Sequence, residues 1–217
     1  IFLLDIMNKS LDIGGLIPNE IDNTVSAKHW NKFYSKEYSK VIDLFYGQIE
    51  TSINDINTKK KLSSNFQPVC FFTLPIPSLN RDIHIEDCLN LYLSEEILDG
   101  DNKWYYKKTN EYIKVTKKIK IKKYPKILIL CLNRFNNDNS KINTKVDIPE
   151  LFNLDKKSYE LYGICNHYGD SSGGHYIAFC KNNNIWYKFN DKIVTKLDTN
   201  ELISESNYCL FYRKLNL

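Results

Sequence analysis

Residues 173–191 hold the pattern with the clearest chemical potential. His175 leads the apolar-rich stretch Tyr176 to Cys180, which runs into the polar Lys181-Asn182-Asn183-Asn184. A second stretch, Ile185 to Phe189, ends in Asn190 and Asp191. Two short strands around an Asn-rich turn read as a β-hairpin, because Asn tolerates the positive φ of type I′ turns. A two-residue loop at Asn182-Asn183, or a four-residue one over 181–184, sets His175 directly opposite Asn190, with Cβ atoms about 5 Å apart. A three-residue loop would bring Asp191 or Phe189 there instead. Across the ribbon the carboxamide can accept the imidazole Nδ1–H, fix one tautomer and leave Nε2 as a base. A neutral partner holds the ring without adding negative charge, which suits activation of a thiol. Gly173-Gly174 lets a substrate backbone approach closely. The bland alternative is a loop histidine at a strand start, with Asn190 an ordinary turn residue.

Six cysteines, at 70, 88, 131, 165, 180 and 209, could supply a thiol, but none is paired as C-x-x-C and each lies in an apolar stretch. That spacing suits neither a secreted disulfide scaffold nor a zinc site, and reads as reduced core thiols of an intracellular protein, cytoplasmic or nuclear. A reactive thiol needs access and a depressed pKa. Cys180, five residues along the strand from His175, points to the opposite face. No cofactor is expected. With 42% apolar residues in 217, the chain can bury a sizeable core, which excludes disorder. The net charge of +4 is too small to point to nucleic acid or an anionic membrane. The longest pure apolar run, Ile127 to Leu132, is far short of the about 20 residues of a membrane span. No signal peptide is read, and the opening Ile1 suggests a fragment or a processed product.

The elements that must position the hairpin follow from periodicity. Phe2, Leu3, Ile6, Met7 and Leu11 form a helical stripe, broken by Gly14-Gly15 and Pro18. Asn19 to Lys28 reads as a loop, and Tyr38 to Phe45 as a helix stopped by Gly47. Strands are expected over Gln48–Ile53, Phe66–Ile76, Trp104–Tyr106 and Tyr112–Ile121, the last with a lysine-bearing outer face. A helix places Ile85, Cys88, Leu89 and Tyr92 on one face. Ile127–Leu132, apolar on both faces, reads as a central strand, followed by a polar, mobile loop over 136–143. Strands at Tyr159–Asn166, Tyr176–Lys181, Ile185–Phe189 and Tyr208–Arg213 follow, with a short helix near Thr199–Ile203. The fold class is α+β, helices first, then a mostly antiparallel sheet.

Gly173-Gly174-His175-Tyr176-Ile177-Ala178, preceded by Asn166-His167-Tyr168-Gly169, resembles the His box of the ubiquitin-specific proteases. Trp186 to Asp191 resembles its next segment, and Tyr208-Cys209-Leu210-Phe211-Tyr212 its closing strand. Val41 to Gln48 resembles the family's entry to the fingers, and Pro125 to Phe135 its "P-x-x-L-x-x-x-L-x-R-F" strand. Phe2-Leu3-Leu4-Asp5-Ile6 resembles the thumb helix. The resemblance implies a papain-like fold with palm and fingers sheets and a truncated helical thumb: 1–46 thumb remnant, 47–124 fingers and part of the palm, 125–217 palm. It implies His175 as general base, Asn190 as the third triad member and Asp191 as a polar residue tied to catalysis. His167, in the loop before the His box, would contact substrate with Tyr168, Gly173 and Gly174, and loops 136–143 and 168–173 would border the channel for the ubiquitin tail. The bond cleaved would follow the last glycine of ubiquitin, making ubiquitin and ubiquitinated proteins the partners.

The sequence departs from that family in two places. The Gly-x-Asn-Thr-Cys box that carries the family's nucleophile does not occur in these 217 residues. They are therefore expected to be inactive alone, with a missing thumb segment as a further partner. The fingertip positions where relatives carry C-x-x-C pairs hold Asp55, Thr58, Tyr106 and Thr109, so no metal is expected. Two other readings stand beside the enzyme. One is a non-catalytic, ubiquitin-binding pseudo-protease. The other is a single-strand nucleic-acid surface on the lysines of 112–123 with Tyr105, Tyr106, Tyr112 and Tyr124, where lysines could equally form a solvated face that blunts a sheet edge.

Overall fold

The computed structural model describes residues 2–11 and 24–215. In chain order its elements are helices α1 (Phe2–Ser10), α2 (Val25–Glu37) and α3 (Lys40–Phe45), strands β1 (Gly47–Asp55), β2 (Lys61–Val69), β3 (Phe72–Pro75) and β4 (Ile83–His84), and helix α4 (Ile85–Leu93). Next come β5 (Glu96–Leu98), β6 (Trp104–Tyr106), β7 (Glu111–Ile113), β8 (Val115–Lys123), β9 (Ile127–Asn133), β10 (Val146–Asp147) and β11 (Leu151–Leu154). The chain closes with β12 (Lys157–Gly169), β13 (Gly174–Asn182), β14 (Ile185–Asn190), β15 (Ile193–Lys196) and β16 (Asn207–Lys214), after a 3₁₀ turn at Thr199–Glu201. This is the expected α+β order. The helix break expected at Gly14-Gly15 and Pro18 lies outside the described residues.

Two compact units form. The first runs to Val69 and resumes over Leu93–Tyr124; the second comprises Cys70–Tyr92 and Pro125 onward. In the first unit, part of the expected loop 19–28 is helical. Thr24 accepts the Ala27 N–H at 3.2 Å and starts α2. Trp30 and Tyr34, one turn apart, are its buried face and pack with Ile42 of α3. Ser39 caps α3 by accepting the Val41 and Ile42 N–H groups. The sheet is antiparallel in the order β2-β1-β8-β5.

Two expected strands are each divided. Phe66–Ile76 breaks at Cys70-Phe71, so that β2 joins the first unit's sheet and β3 the second's. The alternating side chains continue through the break, which hides it from a period-two reading. Tyr112–Ile121 breaks at Lys114: β7 pairs with β6 in a separate hairpin while β8 pairs with β1 and β5.

The second unit is built on an eight-stranded sheet ordered β15-β14-β13-β12-β16-β9-β3, with β11 added beside β12. All pairs are antiparallel except β3 with β9. Strand β9, expected to be central, lies between β16 and the edge strand β3, and Leu128, Ile129, Leu130 and Leu132 are buried on its two faces. Ile85, Cys88 and Leu89 form the buried face of α4, and Tyr92 sets its ring edge-on to Phe72. Arg134, fully buried, donates Nε–H to the Asn207 carbonyl (2.6 Å) and Nη1–H to the carbonyls of Ile142 and Thr144 (2.9 Å each). Those bonds tie the 136–143 loop back to the sheet. The loop also closes on itself, through the Phe135–Lys141 bridge and the Asp138 carboxylate, which accepts from Ser140.

Candidate active site

Strands β13 and β14 form the expected hairpin, one residue out of the expected position. The turn is Asn183-Asn184, at φ 47° and 62°, and the register runs from Asn182↔Ile185 to Ala178↔Phe189. Moving a two-residue turn by one position moves every cross-strand partner by two, and side-chain parity survives. His175 and Asn190 are therefore diagonal neighbours on one face instead of direct opposites. Their side chains bridge the longer gap: His175 Nε2 lies 2.6 Å from Asn190 Oδ1. This corrects the expected atom. The amide oxygen takes the Nε2–H, and Nδ1 is the nitrogen left to act as a base.

Asn190 is held at the end of β14 by a strand the sequence reading missed. β15 pairs back through Asn190↔Ile193 over the turn Asp191-Lys192, with Asp191 at φ 51°. Asp191 Oδ2 stands 3.9 Å from His175 Nε2, too far for a hydrogen bond. Its carboxylate is largely solvent-exposed.

His167 is not in a loop. It lies on β12 with 4% exposure, its N–H donating to the Ser206 carbonyl and its carbonyl accepting from Lys141 Nζ at 2.8 Å. Its ring packs on Tyr176 (centroids 4.7 Å apart), Tyr208 and Phe135. Burial, then the Lys141 charge, hold its pKa below the usual histidine value, so the ring is neutral at pH 7. Its Nδ1 is buried without a hydrogen-bond partner. Tyr168, half-exposed, is the direct cross-strand partner of His175.

The two glycines differ. A Cβ on Gly174 would stand 2.3 Å from the Tyr168 carbonyl oxygen and 2.5 Å from His167 Nε2, whereas one on Gly173 meets nothing within 4 Å. Gly174 thus has an internal reason to be glycine: it lets β13 lie against β12 and the His167 ring. The turn between them uses Gly169 at φ 125°, with Asp170 N–H donating to the Gly173 carbonyl.

No cysteine joins this group. Cys180 is on the opposite face of β13 from His175 by parity. Burial, aided by the Asp87 charge, raises the Cys88 thiol to about 11, and burial also raises Cys165 and Cys180. Among the described residues no group of three or more His, Cys, Asp or Glu side chains could hold a metal ion. Asp55 is used by its own turn, accepting from the Asn57 and Thr58 N–H groups and the Thr58 hydroxyl. The Tyr106 carbonyl closes the other fingertip turn by accepting from Thr109 and Asn110. On the lysine-bearing strand region, Lys114 pairs with Asp99, Lys117 with Glu96 and Lys122 with Glu50. No helix among the described residues is long and apolar enough to cross a membrane.

The family model for ubiquitin carboxyl-terminal hydrolase matches residues 1–212. The chain belongs to the ubiquitin carboxyl-terminal hydrolase family. Hydrolases of this family are deubiquitinating thiol proteases. The chain is 36% identical over 207 residues to ubiquitin carboxyl-terminal hydrolase 2 of Gallus gallus, covering 88% of this chain and 57% of the relative. It is 35% identical over 234 residues to ubiquitin carboxyl-terminal hydrolase Usp2 of Drosophila melanogaster, covering 98% of this chain and 25% of that one. It therefore spans between a quarter and three-fifths of the length of these two relatives. Among solved structures, a yeast SAGA DUB module chain superposes with a TM-score of 0.73 at 26% identity, covering 89% of this chain and 46% of the other. A SAGA DUB module of Ubp8, Sgf11, Sus1 and Sgf73 bound to monoubiquitin superposes at 0.69 with 26% identity, covering 88% and 48%. The ubiquitin-specific protease fold is thus shared.

Proposed function

We propose that this chain carries the general base of a cysteine-type deubiquitinase that cleaves the isopeptide or peptide bond after the last glycine of ubiquitin. The observation that carries the reading is the 2.6 Å bond from His175 Nε2 to Asn190, in a chain of a deubiquitinating family. With Nε2–H committed to the amide, Nδ1 accepts the proton of a thiol. The thiolate attacks the glycine carbonyl carbon, and the imidazolium is steadied by Asn190 and, more weakly, by Asp191. The imidazolium then returns its proton to the departing amine. A water deprotonated by the same Nδ1 hydrolyses the thioester.

The thiol is supplied from outside these 217 residues, because the six cysteines here are placed away from His175 by face or by burial. Without that thiol these residues have no nucleophile for the step. Residues 1–46 are read as thumb, 47–124 as fingers and adjoining palm, and 125–217 as palm. Tyr168 and Gly173 border the path of the ubiquitin tail, with His167 and Gly174 forming its packed floor. Ubiquitin as partner is supported by the monoubiquitin-bound relative. The cysteine spacing, with no C-x-x-C pair, is read as that of a reducing, intracellular setting.

The test is cleavage of a ubiquitin C-terminal amide by the full-length protein. His175→Ala is expected to lower kcat/KM by about 10²–10⁴-fold. Undiminished activity in that variant overturns the base assignment. Ubiquitin binding without any cleavage by the parent favours a pseudo-protease instead.

A further inference from the structure

We propose that Cys131 and Cys209 form an oxidisable dithiol, a modification site at which a low-molecular-weight disulfide installs a cross-strand bond between β9 and β16. The two residues are direct partners in the β9–β16 register, with Sγ atoms 3.0 Å apart. Directly opposed residues of an antiparallel pair have Cα atoms about 4.5–5.5 Å apart, inside the range of about 4.4–6.8 Å that a disulfide bridges. The register leaves the two sulfurs about 1 Å from the disulfide bond length. Both side chains are half-buried, while their chain neighbours Leu130, Leu132 and Leu210 are buried on the other face. The thiols thus lie on the less covered side of the sheet, within reach of a small reagent. Cys165 of β12 faces Cys209 from its other flank, extending the row to three free thiols on adjacent strands.

The row is not symmetric. Cys131 and Cys209 share one S–H···S contact in which either sulfur can donate, so the first proton is lost from the pair with the remaining S–H supporting the thiolate, whereas burial raises Cys165. Either sulfur of the pair can be the one that ionises and attacks, with the other as the resolving thiol. With oxidised glutathione as co-reactant and Cys131 as the attacking sulfur (the roles can be exchanged), the Cys131 thiolate displaces one glutathione thiolate, which takes up a proton. Cys209, giving up its own proton, then attacks Cys131 Sγ and releases the second glutathione as thiol. The protein loses two hydrogens and two electrons, and one glutathione disulfide becomes two thiols.

The experiment treats the reduced, folded protein with oxidised glutathione, blocks the remaining thiols with iodoacetamide and maps tryptic peptides by mass spectrometry. The expected product joins the peptide 127–134 to the peptide 197–213, each of which holds one cysteine, in about tenfold or greater excess over any other pairing. Cys165→Ser is expected to leave this link intact and Cys209→Ser to abolish it, with circular dichroism confirming that each variant is folded. The proposal is overturned by no reaction, by persistent glutathione adducts with no joined peptide, or by a predominant link through Cys165. The wild-type map decides the matter even if a variant fails to fold.

Discussion

Gly174→Ala is the most local perturbation of the candidate site that leaves its polar groups in place. The added methyl would stand 2.3 Å from the Tyr168 carbonyl oxygen, 3.1 Å from its carbonyl carbon and 2.5 Å from His167 Nε2. Ordinary contact needs more than 3 Å, so β13 must retreat from β12 by on the order of 1 Å beside His175. Overpacking of this kind costs about 1–3 kcal/mol. In a chain of this size each 1 kcal/mol lowers Tm by roughly 2–4 °C, so a fall of several degrees is expected in thermal unfolding. The same retreat carries β13 toward β14 and displaces His175 from its 2.6 Å bond to Asn190, and a misplacement of about 1 Å in a catalytic group costs on the order of 10²-fold in rate. Cleavage of a ubiquitin C-terminal amide by the full-length variant reads that loss. Gly173→Ala is the stability control, because its Cβ meets nothing, and its Tm should stay within about 1 °C of the parent. Equal Tm values for the two variants, or an undiminished rate in Gly174→Ala, would refute the reasoning.

Other consequences can be measured separately. Arg134→Met removes the donor to three carbonyls, those of Asn207, Ile142 and Thr144, and should cost at least about 3 kcal/mol in urea unfolding because buried acceptors are left unpaired. The Asp87 carboxylate is held near 2, first by the Arg81 guanidinium and then by the His84 N–H. Its folded-state pKa is depressed, so its contribution is present above the unfolded value near 4 and is lost as pH falls toward 2. Asp87→Asn should therefore flatten the acid limb of the stability–pH curve, and an unchanged limb would contradict the assignment. His167, neutral through burial and the Lys141 charge, should protonate in an NMR titration only below the usual histidine range.

The diagonal pair His175–Asn190 was legible in the sequence because face, set by parity, is robust to a turn misplaced by one residue. The register was not: four polar residues in a row, Lys181 to Asn184, offer more than one two-residue turn, and only the backbone's choice of positive φ at Asn183 and Asn184 separates them. Which imidazole nitrogen meets the amide depends on ring rotation within about 1 Å, a scale no spacing rule reaches. His167 reads as a loop residue beside Tyr168-Gly169, yet its burial comes from Tyr176 and Tyr208, contributed by two other strands. The alternation of Leu161, Gly163, Cys165 and His167 through one continuous strand was the signal available. Helix α2 was hidden because its buried face is narrow, Trp30 and Tyr34 amid lysines and serines. Edge strands β10, β11 and β15 are too short for periodicity to register.

The account turns on which nitrogen of His175 carries the proton. A long-range ¹⁵N–¹H correlation spectrum of the folded protein in mildly alkaline solution reads this directly. It should show His175 as the Nε2–H tautomer with Nδ1 bare, and Asn190→Ala should let the ring populate both tautomers. A predominant Nδ1–H form, or a spectrum indifferent to Asn190→Ala, would contradict the account.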